Sequence, residues 1–456
     1  MWLSLVAALL LSPGAAPAPD AALAERARRY LIDLIRIEST NPPGNETRLA
    51  NYLKQVADGE GLSAELLGDD AGRLNFVARL HSGGGERPLL LMAHSDVVPA
   101  DAAQWKSGPL SAEIRDGCIY GRGALDDKSL LAAELAVMVE LKRRSVALRR
   151  DVLLLSEADE ESGSSGIQWL IRNAWNKISA DFALNEGGFI LDLPSGRRIF
   201  HIQTSEKIPT RVILRARGMA AHASLPRPDN PVLSIARALT TLDEVDQPVR
   251  LNHTTRQYLS DLSRLQEYRW LAPLLPKLNN PQTAVAAANE IAEHDPELGA
   301  QLRTTVVPTI LQAGSKINVI PNAAEAQLDV RRLPNETRQE VIARLRRIIH
   351  DGQVEVDFAT GQEMPPTEPS SVKTALYHAM ERVFRSAAPE ALVVPYMQRG
   401  ATDGAFLRQK GMPVYGIPIF VRESESHPHG NDERISSQNL AAGTALLWNV
   451  VFAACR

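Results

Sequence analysis

Five apolar residues, Leu89-Leu90-Leu91-Met92-Ala93, run straight into His94-Ser95-Asp96. A strand that is apolar at consecutive positions has to be covered on both faces, which is the situation of a strand inside an α/β sheet. In such sheets ligands bind beyond the carboxyl ends of the strands, where this run deposits its histidine and its acid. Residues two apart on extended chain point the same way, so His94 and Asp96 share a side. Imidazole is the commonest metal ligand, and its second nitrogen usually donates to a group that fixes the tautomer, so the pair reads as a ligand with its orienter. Alone, a His-x-Asp at a strand end is equally a loop contact or a helix cap.

At 456 residues the chain exceeds what one hydrophobic core serves, so at least two domains, or one inserted in another, are expected. A net charge of −4 with Lys and Arg spread along the chain gives no concentrated basic face, which argues against nucleic acid as a partner. Cys118 and Cys455 are the only cysteines, so any metal has to be held by histidine and carboxylate. Residues 2–11 are apolar and lead into Ser12-Pro13-Gly14-Ala15-Ala16-Pro17-Ala18, the pattern of a secretory signal. Residues 1–18 are therefore expected to be a signal peptide. The mature protein is then secreted or periplasmic, with no stable membrane span.

Helical periodicity marks 22–37, 46–59, 128–144 and 166–173, and strand-like runs fall at 64–67, 74–80, 89–93, 152–156 and 182–184. From about Thr204 the style changes. Residues 211–217 and 326–331 alternate like half-exposed strands, with helices at 231–243 and 336–350 and a strand at 354–358. Between them, 250–303 is helical and polar, punctuated by Pro273, Pro276 and Pro281. After Pro365-Pro366 a helix at 372–386 and a buried strand at 414–420 resume the first style. The expected fold is α/β: a catalytic sandwich with a central mixed sheet, from 19–203 and 363–456, interrupted at 204–362 by a smaller α+β lid carrying the extra helices.

Four further stretches repeat the opening arrangement. Gly121-Arg122-Gly123-Ala124-Leu125-Asp126-Asp127-Lys128 is a glycine-rich turn opening a long helix, where an aspartate either bridges metals or caps the helix. Residues 152–156 empty into Glu157-Ala158-Asp159-Glu160-Glu161, an acid run that is either a solvated loop or a ligand beside a general base. Phe182-Ala183-Leu184-Asn185-Glu186-Gly187-Gly188 ends in glycines that permit close approach of backbone. The last is His427-Pro428-His429-Gly430-Asn431-Asp432-Glu433. Together they gather His, Asp, Glu, Glu and His at or just beyond strand ends, a ligand set for two borderline cations sharing an oxygen bridge.

These motifs, in this order, resemble the zinc exopeptidase superfamily of aminoacylase, acetylornithine deacetylase and succinyl-diaminopimelate desuccinylase, nearest its carboxypeptidase S and N-acyl amino acid hydrolase branch. The resemblance implies two zinc ions, with cobalt or manganese as substitutes. His94 and Glu186 would serve one, Glu161 and His429 the other, and Asp126 would bridge them. It implies Asp96 as orienter of His94, Glu160 as general base, and a cis peptide after Asp126. In the lid, Gly218-Met219-Ala220-Ala221-His222 resembles the motif whose histidine stabilises the oxyanion. Asn318, in Ile317-Asn318-Val319-Ile320-Pro321, and Arg331, in Asp329-Val330-Arg331, resemble the substrate-binding pair, Arg331 holding a carboxylate by its fork. Gly400 lies in a loop resembling one near that carboxylate. Ser129 and Ala221 stand where relatives often have glycine. The implied reaction is hydrolysis of an amide beside a free carboxylate, in a small peptide or an N-acyl amino acid, by a chain able to form a homodimer through the lid. The rival expectations are a deacylase specific for one acylated metabolite and a zinc-containing binding protein without activity.

Overall fold

The computed structural model describes residues 21–359 and 364–456, so the segment read as a signal peptide lies outside the described residues. The chain lays down β1 (Ser63–Leu67), β2 (Asn75–Leu80) and β3 (Glu86–His94), then a small hairpin of β4 (Glu113–Arg115) and β5 (Cys118–Tyr120). β6 (Arg150–Glu157), β7 (Phe182–Asn185), β8 (Phe189–Asp192) and β9 (Arg198–Glu206) follow. Next come β10 (Ile208–Arg217), β11 (Ala221–His222), β12 (Thr305–Ala313), β13 (Val319–Ile320), β14 (Ala323–Arg332) and β15 (Val354–Phe358), and the chain closes with β16 (Leu392–Gln398), β17 (Val414–Gly416) and β18 (Arg434–Ser436).

The large sheet runs β1-β2-β6-β3-β7-β17-β9-β16, with β8 hydrogen-bonded to β9. It is mixed. β3 is parallel to β6 and β7, β7 to β17 and β9 to β16, while β1·β2, β2·β6 and β17·β9 are antiparallel. Leu89, Leu91 and Ala93 of β3 face a core shared with the helices Ala21–Arg36, Lys128–Arg143 and Ser437–Cys455. Leu90 and Met92 face a second core with Ile167, Leu170 and Phe406. The uninterrupted apolar run is thus explained: each face of the strand is covered. The helix Ser437–Cys455 is long and apolar enough to cross a membrane, and it packs against the helices Ala21–Arg36, Lys128–Arg143 and Ala375–Ala387.

The smaller sheet, β12-β14-β10-β15, is antiparallel, with β10 and β14 paired from Ile208↔Arg332 to Arg217↔Ala323. The helices Pro231–Glu244 and Arg338–Ile349 pack on one face of it through Ile235, Ala238, Val341 and Leu345. The fold class expected from sequence, a mixed-sheet α/β sandwich with a smaller α+β unit, is the one observed.

β8, β9, β12 and β16 are strands that the sequence pattern did not announce, and three details bear on the site. β9 continues in the large sheet to Glu206, past the change of style at Thr204. The strand expected over 414–420 is regular only at Val414–Gly416. The helices of 253–301 stand between β11 and β12 in sequence, yet Tyr258, Leu259, Leu271 and Ile291 pack on Ile199, Val394 and Tyr396 of the large sheet.

Candidate metal centre and cavity

β3, β6 and β7 are parallel neighbours that end on one edge, with His94 level with Glu157 in the β3–β6 ladder. That edge therefore receives His94, the Glu160-Glu161 turn after β6, and Glu186 after β7. Asp126 arrives from the turn before the helix Lys128–Arg143, and His429 from the loop before β18. Asp126 spans the two histidines: Oδ1 is 3.0 Å from His94 Nε2 and Oδ2 is 3.1 Å from His429 Nε2. Glu161 Oε1 is also 3.1 Å from His429 Nε2. The ligand atoms of His94, Asp126 and Glu161 lie within 4.8 Å of one another, as do those of His94, Glu160 and Glu186. Ligands on one tetrahedral cation with bonds near 2.1 Å stand about 3.4 Å apart, so donors at these spacings can hold small divalent cations.

The electrostatics agree. Burial pushes Glu160 and Glu186 well above the usual carboxylate range, and neighbouring carboxylates add to it. Burial would lower His94, but hydrogen bonding to Asp126 and Asp96 outweighs it and holds the imidazole well above its ordinary value. Asp126 and Glu161 push His429 up to about 10. Crowded acids that draw protons onto both histidines form a field that attracts cations.

Around this centre the supporting contacts are specific. His94 Nδ1 lies 2.9 Å from the backbone carbonyl of Asp96 and 3.7 Å from its carboxylate. That carboxylate accepts the amides of Glu160 and Glu161, each at 3.1 Å, and the Asn41 side chain at 2.7 Å, so Asp96 orders the acidic turn as well as facing His94. Asn41 also donates to Asp159 at 2.9 Å. The Asp126–Asp127 peptide is cis. Lys128 Nζ donates to the carbonyls of Leu34 and Ile37, both at 3.0 Å, and ties the Asp126 turn to the first helix.

Sequence reasoning gave no role to Glu433. Fully buried, it accepts the amides of Gly123, Leu125 and Asp126 at 3.1, 2.8 and 3.0 Å and the Arg122 guanidinium at 2.6 Å. Arg122 also donates to the backbone carbonyl of His429 at 3.1 Å, so one ion pair joins the two loops that carry Asp126 and His429. No local pattern marks Glu433 for this role, which depends on β18 pairing with β5. Gly123 has φ +83°, and a Cβ there would stand 2.8 Å from Val97, so this loop needs glycine.

Asp126, Glu160, Glu161, Glu186 and His429 line a cavity of about 580 Å³ that extends to Arg331 and Arg211 on the smaller sheet and to Gln398, Gly400 and Phe406. Arg331 is held by Asp329 with both carboxylate oxygens, at 2.8 and 3.2 Å. His222 and Asn318 are not among the residues lining it. His222 is exposed on β11, its Nδ1 2.8 Å from Ser224 Oγ, and Asn318 is its neighbour through the Ala223 amide at 3.1 Å.

A mixed sheet that gathers imidazoles and carboxylates at its parallel strand ends, under an arginine-bearing second unit, defines a hydrolase of the metal-dependent class. The chain belongs to peptidase family M20/M25/M40, whose model matches residues 90–453. It is 32% identical over 359 residues to the N-fatty-acyl-amino acid synthase/hydrolase of Homo sapiens, covering 77% of this chain and 71% of that one. It is 26% identical to a probable carboxypeptidase S-like 2 of Dictyostelium discoideum, over 77% of this chain and 69% of that one. A family metallo-carboxypeptidase from Sulfolobus solfataricus has the same fold, with a TM-score of 0.70 at 24% identity over 94% of this chain and 99% of that one.

Proposed function

We propose that this chain hydrolyses the amide of an N-acyl amino acid or short peptide beside a free carboxylate, using two divalent cations, a pair that zinc, cobalt or manganese can supply. The observation that carries the reading is Asp126, whose two oxygens reach His94 at 3.0 Å and His429 at 3.1 Å in a cavity that Arg331 also lines. His94, Asp126 and Glu186 would hold one ion, and Asp126, Glu161 and His429 the other. Such ions supply positive charge that polarises a carbonyl and lowers the pKa of water toward about 7. Glu160 takes the proton of the attacking water and returns it to the leaving amine, work suited to a carboxyl that burial holds above its ordinary pKa. Arg331 releases Asp329 and takes the substrate carboxylate by its fork, while Gly400 lets the substrate lie close to the 398–402 segment. The names of the human and Dictyostelium relatives, one for N-fatty-acyl amino acids and one for a carboxypeptidase, share this amide-beside-carboxylate unit.

His222 and Asn318 enter this reading through a homodimer. β12 is an edge strand with Val307, Ile310 and Leu311 exposed, and Val319 and Ile317 are exposed nearby. An apolar open edge is a surface for pairing with a second copy. The lid histidine of each subunit, with its asparagine, then serves the partner's cavity, where His222 stabilises the oxyanion. Division of the chain into 19–203 plus 363–456 and an inserted 204–362 belongs to the same proposal, as does export directed by residues 1–18.

The test offers one blocked dipeptide to the zinc-loaded protein as the free acid and as the C-terminal amide. Cleavage of the acid with at least about a hundredfold loss on the amide is expected, since the amide leaves the Arg331 fork without its anion. Equal rates on both would refute carboxylate recognition.

A further inference from the structure

The helices of 253–301 do more than cover the outer strand of the large sheet. Gln398 and Gly400 line the cavity, but Arg399 between them turns away, and its guanidinium stands 3.0 Å from the carboxylate of Glu297 on the helix Pro296–Gln301. Arg422 reaches the same Glu297 oxygen at 2.9 Å and lies 3.7 Å over the ring of Phe189. The other end of that helix is fixed by Lys207, whose Nζ donates to the carbonyls of Ala300 at 2.9 Å and Arg303 at 3.0 Å and to Thr305 Oγ1 at 3.1 Å. The Lys207 amide donates to the carbonyl of Gln398 at 2.9 Å. Beyond the turn, Thr402 donates to Glu206 at 2.9 Å. One short helix is therefore tied at both ends to the segment that forms one wall of the cavity.

We propose that the inserted helices buttress this wall, with Glu297 as a positioning residue that fixes residues 398–400 for substrate binding. Each ion pair is half-exposed and weak by itself; two guanidiniums converging on one carboxylate hold the turn in one place. The assignment rests on the hydrolase reading above for its kinetic consequence and on geometry alone for its mechanical one.

The experiment compares the wild type with Glu297→Gln and Glu297→Asp by amide hydrogen exchange and by steady-state kinetics on an N-acyl amino acid. Glu297→Gln is expected to raise exchange in 398–402 while β3 and β14 stay protected. It should raise KM about three- to tenfold with kcat within about twofold, and Glu297→Asp should restore most of the difference. Exchange and KM both indistinguishable from wild type would overturn the proposal, as would faster exchange spread over the whole molecule. If Glu297→Gln does not fold, Arg399→Gln applies the same test from the turn. If the wild type cuts none of the substrates, the hydrolase reading fails and the exchange pattern alone decides the buttress.

Discussion

Glu433 has four N–H groups pointed at one buried carboxylate, and three of them are backbone amides of the turn that presents Asp126. Replacing it with glutamine leaves the Arg122 charge buried beside a neutral amide. Breaking a buried pair from one side is costly, so Glu433→Gln should lose about 2–4 kcal/mol of stability. Bound metal, measured after dialysis, should fall with it; urea unfolding and metal content both at wild-type levels would contradict this role. The motifs of His94, Asp126, Glu161 and Glu186 stood out in the sequence because they end hydrophobic runs or a glycine turn, and that of His429 because it sits in a polar loop after one; the structure brings these five residues around one edge. Glu433 did not stand out, because its use depends on β18 pairing with β5, a contact between residues more than 300 positions apart that no local pattern announces. The same holds for Asn41, which joins Asp96 to Asp159 from a loop that reads as a plain helix break.

The strands missed in the sequence were missed for physical reasons of their own. β9 ends in Gln203-Thr204-Ser205-Glu206, a polar run that is nonetheless buried, with Gln203 and Thr402 both donating to Glu206. β16 carries Pro395, which argues against a central strand, and it sits at the end of the sheet order where proline is tolerated. The helices that cover it converge on His201, which stacks 4.1 Å from Phe189 and meets the Tyr258 hydroxyl at 3.1 Å. Burial, with Arg422 nearby, pulls this imidazole down to about 3. In the unfolded chain it titrates near 6.5, so between these values the unfolded state binds the proton and the native state does not. The stability it supports is full above about pH 6.5 and is lost as pH falls toward 3, at about 1.4 kcal/mol per pH unit. Urea unfolding from pH 6.5 to 4.5 should show wild type losing that much more per unit than His201→Phe; parallel slopes would remove His201 from the acid response.

For the whole molecule, a two-unit α/β plan was readable from length and the change of style, because burial on both faces of a sheet and on one face of another leave different periodicities. Where the helices of 253–301 dock was not readable, since a polar helical segment carries no address. The position of His222, exposed and away from the cavity it was expected to serve, gives the chain an arithmetic of alleles. In the proposed homodimer, where His222 of one subunit completes the other's cavity, Glu160→Gln and His222→Ala would damage different halves of one working centre, and each should be inactive alone. Mixed and allowed to re-pair at random, half the dimers join one variant to the other, and in each of these one centre is whole. About a quarter of wild-type turnover should then return from two preparations that have none, whereas a monomeric enzyme would return nothing: two defective copies of the gene would together make some working enzyme that neither makes by itself.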